Sequence, residues 1–260
     1  MRIVRFAARG KIRYGVLKDN IVHCLRGSPF VQFEGSRTSF KLDGSTYKLD
    51  EIRLLAPCYP SKIVAIGLNY RTHAEEANLP IPPMPLIFLK PSTTVIGPDD
   101  KIVLPRNWKR VDYEGELGVV IGKKAKDVPK EVARDYILGY TCLNDVSERV
   151  NQRDDVQWTR AKGYDTFAPM GPWIETEVNP DNLRLETYLN GELCQSARTS
   201  ELIYGVAELV SFISGVMTLL PCDVIATGTP AGIGKMKPGD VVEVKIENIG
   251  TLRNFVVEQG

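Results

Sequence analysis

The clearest alternation in the chain lies at 111–121. Val111, Tyr113, Leu117, Val119 and Ile121 fall on one face of an extended segment, and Asp112, Glu114 and Glu116 on the other. Successive side chains of a strand point to opposite faces, so residues two apart share one. The run ends as Leu117-Gly-Val-Val-Ile121, which reads as interior. The pattern predicts one core strand with two glutamates at its margin. Short apolar runs predict further strands at 62–67, 86–90, 95–96, 137–143, 223–226, 241–246 and 255–257. Asn190-Gly191, between alternating segments at 187–194, predicts a type I′ hairpin. Only 200–219 carries a long helical spacing, with apolar residues at 202, 203, 206, 209, 210, 213, 216 and 217. Shorter helices are expected at 72–77, capped by Thr72, and at 129–134, opened by Pro129. Four prolines within 79–85 predict an irregular loop there.

The first 57 residues read differently. Strands are expected at 2–7, 13–17 and 21–25, with turns at Gly10-Lys11 and Lys18-Asp19-Asn20. The stretch 27–44 is polar and reads as irregular. Pro57-Cys-Tyr-Pro60 then punctuates the chain. This places a boundary between a small N-terminal β domain, 1–57, and a main domain, 58–260. Strands dominate over helices, so the fold class is α+β, mainly β.

Composition narrows the functional classes. The chain has 260 residues, 43% hydrophobic and 25% charged, as in an ordinary globular protein. Its 33 basic and 32 acidic residues leave a net charge of +1, which argues against binding nucleic acid by phosphate neutralisation. The N-terminal Met-Arg-Ile-Val-Arg-Phe has no apolar signal core. No segment approaches the ~20 apolar residues that cross a bilayer, so no membrane partner is expected. Cys24, Cys58, Cys142, Cys194 and Cys222 are scattered and form no CxxC pair. They read as packed thiols of a cytoplasmic protein.

Adjacent carboxylates at a core margin repel each other and lose hydration. Either the strand's polar face is wet, or a divalent cation offsets the cost. Asp145, in Cys142-Leu-Asn-Asp-Val-Ser147, lies just beyond an apolar strand. Alone it reads as a turn or cap; with Glu114 and Glu116 it completes an oxygen-donor set suited to Mg²⁺ or Mn²⁺. Such a site stays open to substrate oxygens. His73 and Glu76, three residues apart, share a helix face. They read either as a general-base pair or as a surface pair, and the proline-rich loop after them reads as a lid. Lys162 alone reads as a solvated lysine. Gly228-Thr-Pro-Ala-Gly-Ile-Gly234 lacks the Walker lysine and reads as a turn offering Thr229 and backbone N–H groups to an anion.

Five stretches in order resemble the fumarylacetoacetate hydrolase family. They are Asn69-Tyr-x-x-His-Ala-x-Glu76, Tyr113-Glu-Gly-Glu-Leu-Gly-Val-Val-Ile-Gly122, Asn144-Asp-Val-Ser-x-Arg149 with Gln152, Ala161-Lys-Gly-Tyr-Asp-Thr-Phe167, and Thr227-Gly-Thr-Pro-Ala-Gly-Ile-Gly234. Together they span about 62 to 257, and the first 57 residues resemble the small domain appended in many bacterial and archaeal members. The resemblance implies a mixed β-sheet roll assembled as a homodimer. It implies Mg²⁺ or Mn²⁺ at Glu114, Glu116 and Asp145, and His73 with Glu76 as a water-activating pair on a lid. It implies that Lys162 stabilises developing negative charge. Arg149, Gln152 and Thr229 would contact substrate oxygens, with Tyr164 a further contact. Glu148 departs from the small residue expected before Arg149, which changes the charge expected around the substrate's distal end.

The implied substrates are small 2-oxo and 2,4-dioxo acids. Presence of both His73 and Glu76 favours hydrolysis of a carbon–carbon bond in an acylpyruvate-type acid, through an enolate stabilised by the metal. Decarboxylation of an oxaloacetate-type acid and isomerisation of a 2-hydroxyhepta-2,4-diene-1,7-dioate use the same enolate. A non-enzymatic anion- or nucleotide-binding module would rest on the 228–234 loop alone.

Overall fold

The computed structural model describes residues 1–35 and 39–260. Most of the strands form one twelve-stranded sheet. Its path runs from Leu42–Lys48 through Ile21–Leu25, Lys11–Lys18 and Arg2–Ala8 to Ala168–Glu175. It continues through Ile137–Asn144, Gly115–Ile121, Val224–Ala226 and Lys62–Gly67, and ends at Leu86–Pro91. A five-stranded sheet of Glu192–Arg198, Arg184–Leu189, Val241–Ile246, Gly250–Glu258 and Lys101–Leu104 packs on it. A small third sheet joins Ser147–Glu148, Val111–Tyr113 and Gly234–Met236. Most pairings are antiparallel, but Val224–Ala226 runs parallel to Lys62–Gly67.

The alternation read from the sequence sorts the core. Leu117, Val119 and Ile121 pack with Leu185, Val244 and Ile246 of the second sheet and with Leu209, Val210 and Ile213 of the helix. Val120 points the other way, into a second core with Ile3, Ile63 and Ala226. The segment 111–121 is not one strand, however. It breaks at Glu114: Val111–Tyr113 joins the small sheet and Gly115–Ile121 the large one. At the break, side chains replace ladder bonds. The Glu114 amide donates to Asn144 Oδ1 at 2.9 Å and the Gly115 amide to Gln195 Oε1 at 2.9 Å. A Cβ on Gly115 would lie 2.1 Å from Thr187 Oγ1, so only glycine lets the sheets approach there.

The predicted long helix is shorter, Val206–Val216, preceded by a 3₁₀ turn at Thr199–Glu201. Between them, Ile203 and Tyr204 donate their amides to the backbone and side-chain oxygens of Asn69. These tertiary bonds take the place of a helical ladder. The helix Arg71–Glu76 starts after Tyr70 at the cap position, and Thr72 lies inside it. Pro129 precedes the 3₁₀ helix Lys130–Tyr136, outside its first turn. The hairpin is as expected, with Asn190 and Gly191 at φ 53° and 82°.

The stretch 27–44 is less irregular than its composition suggests. Pro29–Gln32 is a short helix that buries Phe30, and a strand begins at Leu42; positions 36–38 lie outside the described residues. The N-terminal strands extend the large sheet, through the pairing of Ile3 with Ile174. Val4, Phe6, Leu17, Val22 and Cys24 also pack a small core of their own, and the division at residue 57 is proposed on that separate core. All five cysteines are free thiols; Cys24, Cys58 and Cys142 are buried, Cys194 and Cys222 partly so.

Candidate active site

Three carboxylates meet where the two halves of the broken strand part. Glu114 occupies the break, Glu116 the second residue of Gly115–Ile121, and Asp145 the position after Ile137–Asn144. Pairing of Glu116 with Leu143 and a 2.9 Å bond from the Asp145 amide to the Glu114 carbonyl fix their register. One carboxylate oxygen from each lies within 4.8 Å of the other two, and all three residues are buried.

Their surroundings are unequal. Glu114 Oε1 lies 2.5 Å from Arg149 Nη2, and Oε2 2.8 Å from Lys162 Nζ. Burial works to raise its pKa, but Lys162, Arg149 and, further off, His73 outweigh it and hold Glu114 below the ordinary carboxylate range. Asp145 receives Lys162 at 2.7 Å and Lys90 at 2.5 Å. Glu116 forms no ion pair with a described residue and accepts one bond, from the Gly228 amide at 2.8 Å. Burial, followed by Asp145 and Glu114, pushes its carboxyl well above the usual range. A buried carboxylate facing two others without its own counter-ion is a group that a cation would relieve. The all-oxygen donor set suits a hard divalent ion such as Mg²⁺ or Mn²⁺.

His73 and Glu76 stand on Arg71–Glu76, with Nδ1 and Oε2 3.0 Å apart. The His73 side chain is 12% exposed and Glu76 35%, so the imidazole faces inward. Glu76 Oε1 accepts the Gly232 amide at 2.9 Å. Two amides of the 228–234 turn, those of Gly228 and Gly232, are therefore bonded to the protein's own carboxylates, Glu116 and Glu76. Thr229 is occupied as well: its hydroxyl donates to the Gly115 carbonyl at 2.9 Å and accepts from Gln195 at 2.8 Å.

Lys162 ends the short helix Thr159–Lys162 and is buried, with only 3% of its side chain exposed. A solvated lysine is thus excluded. Burial opposes its charge, but Asp145 and Glu114 more than restore it and raise its pKa. Arg149 opens Arg149–Asp154 and reaches Asp112 at 2.9 Å and Gln152 at 2.8 Å. His73, Glu114, Glu116, Arg149, Gln152, Lys162 and Thr229 all line one cavity of about 520 Å³. Tyr164 is not among its walls. Its hydroxyl accepts from Asn151 at 2.8 Å and its ring packs on Phe167 at 5.2 Å, beneath the Arg149 helix.

Glu148 also turns away from the cavity. Its carboxylate accepts the amides of Lys109 and Arg110 at 3.2 Å each and of Asn151 at 2.7 Å, which caps the Arg149 helix. Two site groups escaped the reading of the sequence. Lys90 is fully buried on Asp145, and its signal was a lysine closing the apolar run Leu86–Lys90. Asp112 was seen on the acidic face but not as the anchor shared by Arg149 and Arg110.

Residues 62–257 match the sequence pattern of the family described as fumarylacetoacetate (FAA) hydrolase C-terminal, and residues 1–57 that of Rv2993c-like, N-terminal. The chain is 41% identical to the 2,4-didehydro-3-deoxy-L-rhamnonate hydrolase of Sphingomonas sp. (strain SKA58), over 99% of this chain and 96% of that protein. It is 40% identical to the mitochondrial oxaloacetate tautomerase FAHD2B of Homo sapiens, over 80% of this chain and 70% of that protein. The crystal structure of 5-carboxymethyl-2-hydroxymuconate delta-isomerase from Mycobacterium smegmatis superposes with a TM-score of 0.91 at 43% identity, covering all of both chains. The mixed-sheet roll is therefore the fold that these relatives share.

Proposed function

The chain belongs to the fumarylacetoacetate hydrolase family, and from that premise we propose that it hydrolyses a carbon–carbon bond in an acylpyruvate-type 2,4-dioxo acid with the help of Mg²⁺ or Mn²⁺. The observation that carries this reading is that His73, held by Glu76 at 3.0 Å, lines the same cavity as Glu114 and Glu116 of the carboxylate trio. A general base beside a Lewis-acid site is what water attack on a dioxo acid requires.

Glu114, Glu116 and Asp145 would hold Mg²⁺ or Mn²⁺, which would supply positive charge for the 2-oxo acid end of the substrate. Glu76 holds the Nδ1 side of His73, which leaves Nε2 to take a proton from water. The hydroxide adds to the 4-oxo carbon and the C3–C4 bond breaks. Its electron pair passes to the pyruvate fragment as an enolate, which takes up at C3 the proton that His73 removed from water, and the acyl fragment leaves as a carboxylic acid. Lys162 and Arg149 supply the cationic contacts for the charge that develops, and Gln152 and Thr229 complete the polar wall. The protein acts in this reading as a cytoplasmic homodimer on free small acids. Exposed Leu86 and Leu89 on the edge strand Leu86–Pro91, with exposed Met84 just before it, support the homodimer. Among the described residues, no helix is long and apolar enough to cross a membrane.

A second reading, isomerisation or decarboxylation through the same enolate, draws on the isomerase activity of the Mycobacterium smegmatis relative and the oxaloacetate tautomerase activity of the human one. The two readings part on water activation. Acetylpyruvate with Mg²⁺ or Mn²⁺ should lose its dioxo absorbance with wild-type protein and not with His73→Ala. Turnover of oxaloacetate alone, unaffected in that variant, would replace the hydrolytic reading with the second.

A further inference from the structure

One arm of the cavity is unlike the rest. Next to the charged end, Phe88 presents its ring to Lys162 Nζ, 5.1 Å from the ring centroid. Trp158 packs edge-on against Phe88 at 5.2 Å and 77°. The indole in turn abuts the end of Lys62–Gly67 at Gly67. A Cβ on Gly67 would sit 2.6 Å from Trp158 Cζ3 and 2.8 Å from Cη2, so the missing side chain makes the seat for the ring. Leu68 follows at φ 54°, a left-handed conformation that a branched side chain adopts only under constraint. Leu68, Leu79 and Ile233 line the cavity together with the two aromatic rings. None of these apolar groups is fully buried.

None of the residues that bound this arm carries a charge. Lys162 and Arg149 are held at the acid end of the cavity by the carboxylates there, while Arg110 and Arg153 are exposed. Lys162 is paired with Glu114 and Asp145, Arg149 with Asp112 and Glu114, Arg110 with Asp112, and Arg153 with Asp154. A second carboxylate on the substrate, reaching along this arm, would meet aromatic and aliphatic surface without a counter-ion of its own. Desolvating a charge there is strongly unfavourable, whereas an apolar group gains from the same surface.

We propose that the arm bounded by Gly67, Leu68, Phe88 and Trp158 is a subsite for an uncharged apolar substituent, aryl or branched alkyl, on the 4-oxo side of the substrate. This rests on the reading that the acid end binds at the carboxylate trio. Trp158 and Gly67 are the residues that set the preference, Trp158 as the wall and Gly67 as the space that lets the wall stand back.

Stable oxamates test the subsite without turnover. Each carries the same 2-oxo acid mimic and differs only in its tail. In calorimetric titrations with Mn²⁺ present, N-phenyloxamate should bind the wild-type protein at least tenfold more tightly than N-oxalylglycine, whose tail ends in a carboxylate. In Trp158→Ala, and separately in Gly67→Val, that ratio should fall toward unity. N-oxalylglycine binding as tightly as N-phenyloxamate, or a ratio unchanged in both variants, would overturn the subsite while leaving the acid-end reading in place. Failure of both oxamates and of unsubstituted oxamate to bind with Mn²⁺ would instead remove the acid-end reading, and the subsite with it.

Discussion

The ammonium of Lys90 lies 2.5 Å from Asp145 Oδ1, with neither side chain more than 1% exposed. Lys90 also donates to the Val146 carbonyl at 3.2 Å. Burial lowers its pKa, and Asp145 works against that fall. The lysine acts as an internal counter-ion, and it lets a third carboxylate stand beside two others in the core.

Removal of that counter-ion should be severe. Lys90→Met is expected to destabilise the fold by about 3–5 kcal/mol, as breaking a buried ion pair does. Lys90→Met with Asp145→Asn should recover part of the loss, because the uncompensated charge goes too. Urea denaturation of the two variants checks this, and a double variant no more stable than the single one would contradict the counter-ion role.

The metal set should respond to Glu116 first. Glu116→Gln removes one anionic oxygen donor from the trio and is expected to weaken Mn²⁺ binding by at least about tenfold, a cost of ~1.4 kcal/mol or more. Titration calorimetry measures it. Equal affinity in the variant would exclude Glu116 as a ligand.

Stability without metal should depend on pH in an unusual direction. The Glu116 carboxyl is raised well above its ordinary value of 4.5 by burial and its two acidic neighbours. Folded protein therefore holds this proton over a range where the unfolded chain has released it. By linkage, stability falls as pH rises through that window, from about 4.5 up to the raised value. A divalent cation needs the ionised form, so its stabilisation should grow over the same range. Melting temperatures between about pH 5 and pH 8, with EDTA and with MnCl₂, should diverge as pH rises. Parallel profiles would rule this out.

Water activation should separate from binding. His73→Ala is expected to lower kcat on acetylpyruvate by about 10²–10⁴-fold with a smaller change in KM. Glu76→Gln should lose less, since it still accepts the Gly232 amide through its oxygen and still faces the imidazole. Steady-state kinetics with saturating Mg²⁺ decide it, and unchanged turnover in His73→Ala would remove the general-base role.

Much of this site was legible in the chain. The period-two pattern placed Leu117, Val119 and Ile121 in one core and the glutamates opposite. Local spacing put His73 and Glu76 on one face of a short helix, because residues three apart are neighbours there whatever the tertiary context. The break at Glu114 was not legible, because its cause is tertiary: Asn144 and Gln195 bond the backbone from other strands. The same holds for the shortened helix, whose predicted first turn gives its amides to Asn69. Lys162 read as a surface lysine because its two carboxylate partners lie 48 and 17 positions away. Tyr164 was placed near the substrate by motif alone, and its hydroxyl accepts a bond from Asn151, thirteen positions earlier.

The turn at 228–234 has a consequence for how this chain can vary. Its Gly228 amide holds Glu116 and its Gly232 amide holds Glu76, at 2.8 and 2.9 Å. The turn is thus a gauge block between the acid-binding and water-activating halves of the proposed chemistry. One added or deleted residue there would throw both out of step together. The proline-rich segment at 79–85 carries no such double duty among the described residues, so changes in its length should alter access to the cavity and leave that spacing intact.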